Sequence, residues 1–322
     1  MKGLDWKKFL KFLSFTRKKK RISSFLLCCD IIYSSFRYNI SILEYFYFKF
    51  FGLTPQEREE YVGTGFIYEY QLIMNPKASR GSLSNKIEFL NKFSNFVFRA
   101  YAGIATLKKD RILGKKILSS PSGRLVLKKS GGQCGEDVRI FNCADFTYES
   151  LISRMQRSGF DLVEEYIVQH PALMFLSPSG VNTVRVITQI VNDKVIFLAA
   201  RLRISVNSPV DNLAAGNIAA PINLVDGMVE GPAVYSDITK DDVMEHPVSK
   251  APIQGFRVPF WKETLDLVMR AALQIPENRS VGWDVAISNK GPELIEGNHN
   301  WCKLLWQLPV KKGLKRELVR YL

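Results

Sequence analysis

Histidine and cysteine are scarce in this chain of 322 residues. Only three histidines are present, which argues against a histidine-based metal site. The five cysteines are odd in number and include no Cys-x-x-Cys pair, so the sequence predicts neither a disulfide framework nor a zinc site. Reduced thiols are typical of the cytoplasm, and we expect a cytoplasmic protein.

Long apolar runs are also missing. The run at 22–32 is interrupted by Asp30 and lacks a small-residue cleavage site, so we expect no secretory signal peptide. The run at 41–53 contains Glu44 and Lys49 and is too short to span a bilayer, so we expect no transmembrane helix. Hydrophobic residues make up 46% of the chain and charged residues 24%, which predicts a folded globular protein.

Positive charge is concentrated at the two ends of the chain. The net charge is +14, and residues 1–21 carry nine Lys or Arg against one Asp. Residues 311–322 carry five Lys or Arg against one Glu, which leaves the middle of the chain nearly neutral. A nucleic-acid-binding protein more often spreads basic residues over one face of its folded body, so no nucleic-acid partner is expected. Basic ends are typical of docking on an anionic membrane surface or of a solvated tail.

The segment at 6–51 is predicted to form helices that lie on another surface. Trp6, Phe9, Leu10 and Leu13 recur at helical spacing with lysines between them. Such helices bind either an anionic membrane or the rest of the protein. The first alternative predicts a peripheral position at the inner membrane face.

The middle and the end of the chain show mixed helix and strand patterns. A helix is predicted over 85–101, because apolar residues share one face. A strand, a glycine-rich turn, a second strand, a helix and a third strand follow over 124–168, which indicates an α+β unit. Two hairpins are predicted later, one turning at Asn192-Asp193 and one across Asn289-Lys290-Gly291.

The last hairpin carries the strongest candidate site. Asp284 and Glu296 are equally distant from Lys290, so a three-residue loop centred there makes them a cross-strand pair. Asn298 lies two residues beyond Glu296 and therefore on the same face. Two carboxylates and an amide oxygen suit Mg²⁺ that is completed by nucleotide phosphates. The alternatives are a slipped register or a solvated acidic pair.

A lysine followed by glycines forms the second candidate. Lys128 ends a predicted strand, and Gly131, Gly132 and Gly135 follow in the loop. Such a loop lets backbone N–H groups approach phosphates, which the lysine can neutralise. It is not a Walker A loop, because no Gly-Lys-Ser/Thr follows. The alternative is an ordinary glycine-rich hairpin turn.

Two further patterns each allow a functional and a structural interpretation. The acidic strand end at 162–167 is either solvent-exposed or a hinge whose backbone reads adenine. Arg185, Arg201 and Arg203 on neighbouring strands, followed by 211–212, could converge on one face and hold phosphoryl or carboxylate oxygens. The alternative is a solvated sheet face.

The order of these pieces resembles the ATP-grasp superfamily, and more narrowly the sugar-transfer-associated ATP-grasp family of polysaccharide biosynthesis clusters. The resemblance covers about residues 70–310 and is carried by these motifs: Val-Glu-Glu-Tyr-Ile at 163–167, Gln-His-Pro at 169–171, Val-Asn-Thr-Val-Arg-Val-Ile-Thr at 181–188, Val-Asp-Asn at 210–212, Gly-Trp-Asp-Val at 282–285 and Leu-Ile-Glu-Gly-Asn at 294–298.

The resemblance implies an α+β ATP-grasp fold in which two α+β domains grip ATP, with an α-helical N-terminal extension. The extension is expected over 1–53, where the chain is basic and aromatic. An N-terminal subdomain follows over 54–110, the ATP-grasp lid over 111–168, and the C-terminal catalytic subdomain over 169–322.

The resemblance also implies ATP, two Mg²⁺ ions and a role for each matching residue. The residues that match nucleotide-phosphate contacts are Lys128, Gly131, Gly132 and Gly135. The residues that match the adenine-reading hinge are Glu164, Glu165, Tyr166 and Ile167. The residues that match contacts to the transferred phosphoryl group are Arg185, Arg203 and Asn212. The residues that match Mg²⁺ ligands are Asp284, Glu296 and Asn298.

The implied function is an ATP-dependent carboxylate–amine ligase that works through an acyl phosphate. The family context implies that a sugar acid, such as a hexuronic acid, is amidated with an amino acid during capsule or O-antigen synthesis. Two alternatives stay open: a sugar or small-molecule kinase with the same ATP grip, and a non-catalytic nucleotide-binding partner of a glycosyltransferase.

Overall fold

The computed structural model describes residues 4–132 and 138–322. The helices are α1 Trp6–Lys20, α2 Ser24–Arg37, α3 Ile42–Tyr47, α4 Pro55–Glu59, α5 Thr64–Met74, α6 Gly81–Ser84, α7 Lys86–Lys92, α8 Ile104–Leu107, α9 Arg111–Leu118, α10 Tyr148–Ser158, α11 Pro171–Leu176, α12 Trp261–Leu273, α13 Lys303–Gln307 and α14 Lys315–Val319. The strands are β1 Tyr101–Gly103, β2 Arg124–Lys128, β3 Val138–Asn142, β4 Leu162–Glu165, β5 Thr183–Val191, β6 Lys194–Ile204, β7 Ile218–Ile222, β8 Val234–Tyr235, β9 Ser280–Ser288 and β10 Gly291–Asn298.

Within these described ranges the strands form two antiparallel sheets. The smaller sheet has the order β1-β4-β2-β3, and the larger has the order β10-β9-β5-β6-β7-β8. The predicted α+β class is therefore confirmed. The smaller sheet takes its edge strand β1 from before residue 111, where the sequence places the start of the lid.

The two faces of the larger sheet have different partners because side chains alternate along a strand. On one face, Val184 and Val186 of β5 lie in the same core as Leu267 and Val268 of α12. Arg185, between the two valines, points to the opposite face and lines the cleft described below. The strand β5 thus packs against the core through Val184 and Val186 and presents Arg185 to the cleft.

The hairpin that joins β5 and β6 forms as predicted. Asn192 and Asp193 both have positive φ, at 47° and 60°. Positive φ at both central residues is the geometry of a tight two-residue turn, which Asn and Asp tolerate better than most residues.

The predicted three-residue loop of the last hairpin is wrong, although the predicted pair is right. Gly291 pairs with Ser288, so only two residues form the loop. A bulge between Leu294 and Glu296 then shifts the register by one residue and brings Glu296 opposite Asp284. The shorter loop and the bulge offset each other, and the cross-strand pair survives.

The helix predicted over 85–101 is too long. The helix α7 ends at Lys92, a 3₁₀ turn spans Ser94–Phe96, and β1 begins shortly afterwards. The backbone N–H groups of Phe98 and Arg99 donate to the carboxylate of Glu293, at 3.1 and 3.3 Å. These tertiary bonds replace the helical ones, which a local apolar pattern cannot reveal.

The N-terminal extension packs on the protein's own body. Its buried side chains form one aromatic-rich core: Phe12, Leu27, Ile31, Ile40, Tyr45, Phe46, Phe48 and Phe50. Ile238, Leu304 and Leu308 from the rest of the chain join that core. Of the two expected surfaces, the membrane and the rest of the protein, the inner face of these helices therefore covers the rest of the protein. None of the helices among the described residues combines the length and the apolar character that a bilayer crossing requires.

Candidate active site

A cleft of about 500 Å³ lies between the two sheets. It is lined by these sequence-predicted residues: Lys128, Gly132, Glu164, Glu165, Tyr166, Ile167, Arg185, Arg203, Asn212, Asp284, Glu296 and Asn298. Gly131 is not part of this lining, and Gly135 lies outside the described residues. Segments that are far apart in sequence therefore meet in one place.

Two arginines and two aspartates form a charged row on the cleft face of the larger sheet. Asp284 lies directly opposite Arg185, whose guanidinium donates to both carboxylate oxygens. Arg203 donates to Oδ2 of Asp284 at 2.7 Å and pairs with Oδ1 of Asp211 at 2.7 Å. Burial alone would raise the pKa of Asp284, yet the two guanidinium groups hold it well below its usual range.

Asp211 lines the cleft, although the sequence gives it no role of its own. Its Oδ2 accepts hydrogen bonds from the backbone N–H of Thr183, at 2.8 Å, and from the Thr183 hydroxyl. Burial raises the pKa of Asp211, and the Arg203 charge opposes that rise. The neighbouring Asn212 caps a short turn, with Oδ1 accepting from the N–H of Ala214 at 2.9 Å. Asp211 thus fixes Arg203, while Asn212 shapes the cleft wall.

Arg201 does not join the cleft, although it lies opposite Arg185. Its Nε and Nη2 donate to the carbonyl of Trp306, at 3.1 and 2.6 Å, near the end of α13. Burial lowers the pKa of Arg201 to about 10. The predicted convergence of arginines therefore holds for Arg185 and Arg203, whereas Arg201 holds a helix end.

Glu296 is a cleft carboxylate with few partners among the described residues. Asn298 donates to its Oε1 at 3.3 Å, and none of the ion pairs among the described residues includes it. Burial raises the pKa of Glu296, and Asp284 opposite it raises the pKa further. A divalent cation would offset both the burial of the Glu296 charge and its repulsion by Asp284. Carboxylate and amide oxygens are ligands that suit Mg²⁺. The residues present therefore fit the predicted metal.

Protein side chains alone do not complete such a site. Within residues 4–132 and 138–322, no group of three or more His, Cys, Asp or Glu side chains is placed to hold a metal ion. Mg²⁺ commonly keeps water and takes phosphate oxygens as further ligands. The donor set therefore suits a metal that arrives with a nucleotide.

On the opposite wall, Lys128 is held by Glu164. The Lys128 ammonium lies 2.8 Å from Oε1 of Glu164, and Nε of Arg99 lies 2.5 Å from Oε2. Burial would raise the pKa of Glu164, but Lys128 and Arg99 bring it to about 2. Glu164, predicted as part of an adenine-reading hinge, is thus a buried anion that fixes the position of Lys128.

Arg99 was missed by sequence reasoning. Its Nη1 donates to Oε2 of Glu293 and to the carbonyl of Leu294, both at 2.9 Å. Since Glu164 belongs to β4 and Glu293 to β10, Arg99 ties the two sheets together. The only signal in the sequence is a single arginine inside the apolar run at 96–102.

The end of β4 and the residues that follow it carry the rest of the predicted hinge. Oε2 of Glu165 accepts from the N–H of Ala100 at 2.6 Å. The guanidinium of Arg124 lies 3.8 Å from the ring centre of Tyr166, a cation–π contact. Both contacts hold this segment against the smaller sheet, where it forms a wall of the cleft.

The described part of the glycine loop is anchored from two sides. Asp161 accepts from the N–H of Ser130 at 2.6 Å and from its hydroxyl at 2.5 Å. Lys86, also missed by sequence reasoning, donates through Nζ to the carbonyl of Gly132 and lines the cleft. The cleft lining thus includes Lys86 in addition to Lys128 and Lys129.

Comparison with known proteins identifies the family. The chain matches the sugar-transfer-associated ATP-grasp family over residues 66–321 and belongs to it. The α+β ATP-grasp fold expected from the motifs is therefore confirmed. No curated protein matches this chain by sequence.

Several solved structures show a distant similarity. The ATP-grasp ligase PsnB, solved with a phosphomimetic variant of a minimal precursor, Mg and ADP, is 13% identical over 79% of this chain and 65% of that one, with a TM-score of 0.44. The L-amino acid ligase from Bacillus licheniformis is 12% identical over 69% of this chain and 41% of that one, with a TM-score of 0.40. The biotin carboxylase domain of Hydrogenobacter thermophilus 2-oxoglutarate carboxylase is 17% identical over 78% of this chain and 52% of that one, with a TM-score of 0.43. The chain thus spans less than two thirds of each of these proteins.

Proposed function

We propose that this protein is an ATP-dependent ligase that joins a carboxylate to an amine through an acyl phosphate. The observation that carries the proposal is the cleft itself. There Arg185, Arg203 and Glu296, a carboxylate with no ion pair in the described part of the chain, lie across from Lys128. Membership of the ATP-grasp family supports it.

In this proposal the smaller sheet binds the nucleotide. Lys128 contacts the phosphates from its strand, and the glycine loop that includes Gly131, Gly132 and Gly135 covers them. The segment formed by Glu165, Tyr166 and Ile167 lies against adenine, whose edge can be read by backbone N–H and C=O groups. Glu164 contributes by holding Lys128 in place.

The larger sheet supplies the metal and phosphoryl contacts. Glu296 and Asn298, with the free lone pair on Oδ1 of Asp284, would hold two Mg²⁺ ions, which neutralise nucleotide phosphates when bound. Arg185 and Arg203 stabilise the negative charge on the transferring group, with Asn212 beside them. Phosphoryl transfer depends mainly on positioning and electrostatics, so this set of charges is sufficient without a nucleophilic side chain.

The proposed chemistry has two steps. A carboxylate oxygen of the substrate attacks the γ-phosphorus of ATP, the bond from that phosphorus to the β–γ bridging oxygen breaks, and ADP leaves. The amine nitrogen then attacks the acyl carbon, phosphate leaves with the bonding pair, and the amine proton is lost to phosphate or solvent. Closure of the cleft excludes water, which would otherwise hydrolyse the acyl phosphate.

The proposed acceptor is a sugar acid, such as a hexuronic acid, that receives an amino acid during capsule or O-antigen synthesis. The family's association with sugar transfer supports this class of substrate. A cytoplasmic protein at the inner face of the membrane would meet such an acceptor as a nucleotide sugar or on a lipid carrier.

The test is ADP and phosphate release from ATP and Mg²⁺, with amino acids and uronic-acid conjugates supplied singly and in pairs. We expect release of both products only when an acid and an amine are present together, and no release from Lys128→Met. A stable phosphorylated acid or sugar formed without any amine would overturn the ligase in favour of a kinase.

A further inference from the structure

The outward face of α2 is apolar. Phe25, Leu26, Ile32, Tyr33 and Phe36 are 75%, 61%, 57%, 58% and 86% exposed. They recur at three-, four- and seven-residue intervals, so they lie along one side of the helix. Single exposed apolar residues are ordinary on a protein surface, but a continuous apolar helix face marks an interaction site.

Two polar side chains of the same helix, Asp30 and Ser34, are satisfied by residues of the protein's own body. Asp30 accepts from Arg58 at 2.7 and 2.9 Å and from the hydroxyl of Tyr45 at 2.5 Å. Ser34 is fully buried and receives a bond from Arg58 at 3.1 Å. The inner side of α2 thus holds Leu27 and Ile31 in the core together with satisfied polar groups, while large apolar side chains also face outward.

A dense positive cluster precedes this face in the chain. The cluster consists of five exposed residues at the end of α1: Arg17, Lys18, Lys19, Lys20 and Arg21. Arg21 stands four residues before Phe25, the first residue of the apolar face. The single acid of α2, Asp30, is paired with Arg58 on the inner side, so no carboxylate of this helix offsets the cluster.

We infer that the outward face of α2 and the cluster at 17–21 form a docking surface for an anionic phospholipid bilayer. A helix of this kind lies in the bilayer interface with its apolar side chains among the acyl chains, while basic residues bind the acidic headgroups. The 14-residue helix is about 21 Å long and can lie flat along such a surface. A second copy of the same face would bring no acidic side chain to meet the cluster.

This inference is independent of the proposed ligase activity. None of the residues of α2 or of the cluster lines the cleft. Vesicle binding and nucleotide turnover can therefore fail or succeed separately.

The test is co-sedimentation of the full chain with vesicles. We expect binding to vesicles of phosphatidylcholine and phosphatidylglycerol in equal parts, and much weaker binding to phosphatidylcholine alone. Phe25→Ser with Phe36→Ser should weaken binding by about tenfold or more, because two side chains that would enter the bilayer lose their apolar rings. Phe175→Ser with Val225→Ser, which alters two exposed apolar residues outside the extension, should leave binding unchanged.

A charge-reversal pair tests the basic cluster. Lys18→Glu with Lys19→Glu should abolish the preference for anionic vesicles, whereas Lys115→Glu with Lys116→Glu should preserve it. Both pairs are exposed neighbouring lysines in the last turn of a helix, so their effects on net charge and helix ends match. Equal binding of all four variants would overturn the inference. It would also be overturned by a dimer in size-exclusion chromatography that Phe25→Ser with Phe36→Ser dissociates, if vesicles are not bound.

Discussion

Arg185 and Asp284 lie directly opposite each other on β5 and β9, and the arginine donates to both oxygens of the aspartate. Oδ2 of Asp284 also accepts from Arg203, so one carboxylate orients two guanidinium groups. Sequence spacing predicts Asp284 as a metal ligand beside Glu296. The structure adds a second task, which is to hold the two cations that face the cleft.

Loss of the Asp284 charge should destabilise the fold. Asp284→Asn would leave Arg185 and Arg203 buried with one anion fewer, at a cost of about 3–5 kcal/mol in the free energy of unfolding. Urea unfolding of the variant measures this cost. A change below about 1 kcal/mol, the range of an exposed pair, would show that the row of charges does not act as a buried network.

A double-mutant cycle measures the coupling between Arg185 and Asp284 apart from the other charges of the cleft. Arg185→Met combined with Asp284→Asn should lose less free energy than the sum of the two single changes, because the two side chains interact directly. Strict additivity in urea unfolding would contradict that direct coupling.

The buried Glu164 predicts a pH dependence of stability. Its pKa is about 2 in the folded protein and lies near 4.3 in an unfolded chain. A depressed pKa stabilises the fold above the unfolded value, so this contribution is present at neutral pH and is lost as the pH falls from about 4.3 toward 2. The shift corresponds to about 3 kcal/mol.

Glu164→Gln isolates this contribution. The wild type should be more stable than the variant at pH 7, and the difference should shrink as the pH falls toward 2. Glu277→Gln, at an exposed position, serves as the control and should show no such trend. Chemical unfolding at several pH values measures all three proteins, and a pH-independent difference would contradict the proposed ion pairs.

Glu44 should be the main polar tether of the N-terminal extension. It is buried, accepts from the N–H and the hydroxyl of Thr64 at 3.0 and 2.7 Å, and lies 2.6 Å from Nζ of Lys303. Glu44→Ala would leave the lysine without its anion, and we expect a loss of about 3–5 kcal/mol in thermal or chemical unfolding.

The matched control is Glu57→Ala. Glu57, like Glu44, closes a capping box at the start of a helix, but it is exposed and has no ion pair among the described residues. Loss of this exposed capping contact should cost much less than loss of the buried ion pair of Glu44. Equal effects of the two substitutions would mean that the extension is not tethered through Glu44.

Much of the fold is visible in the sequence where local chemistry is decisive. Asn192 and Asp193 tolerate positive φ, so the hairpin turn was predicted at the right residues. The first strand and the helix that the sequence predicts within 124–168 form at Arg124–Lys128 and Tyr148–Ser158. These elements depend on residues that are close in sequence.

Elements that depend on distant partners were not predictable. The helix expected over 85–101 ends early because Glu293, almost two hundred residues away, binds the backbone at Phe98 and Arg99. Arg99 interrupts an apolar run, but that signal does not reveal its role, which comes from two acids on two different sheets. The last hairpin shows that a correct pair can follow from an incorrect turn, because a bulge offset the shorter loop.

The central claim is that the cleft binds ATP through a metal held by Glu296, and titration calorimetry of ATP with and without Mg²⁺ tests it most directly. The wild type and Glu277→Gln should bind ATP tightly only when Mg²⁺ is present. Glu296→Gln should lose about tenfold or more of that affinity, since a neutral amide is a poorer ligand than a carboxylate. Equal ATP affinity of Glu296→Gln and the wild type in Mg²⁺, or no ATP binding by the wild type, would contradict the account.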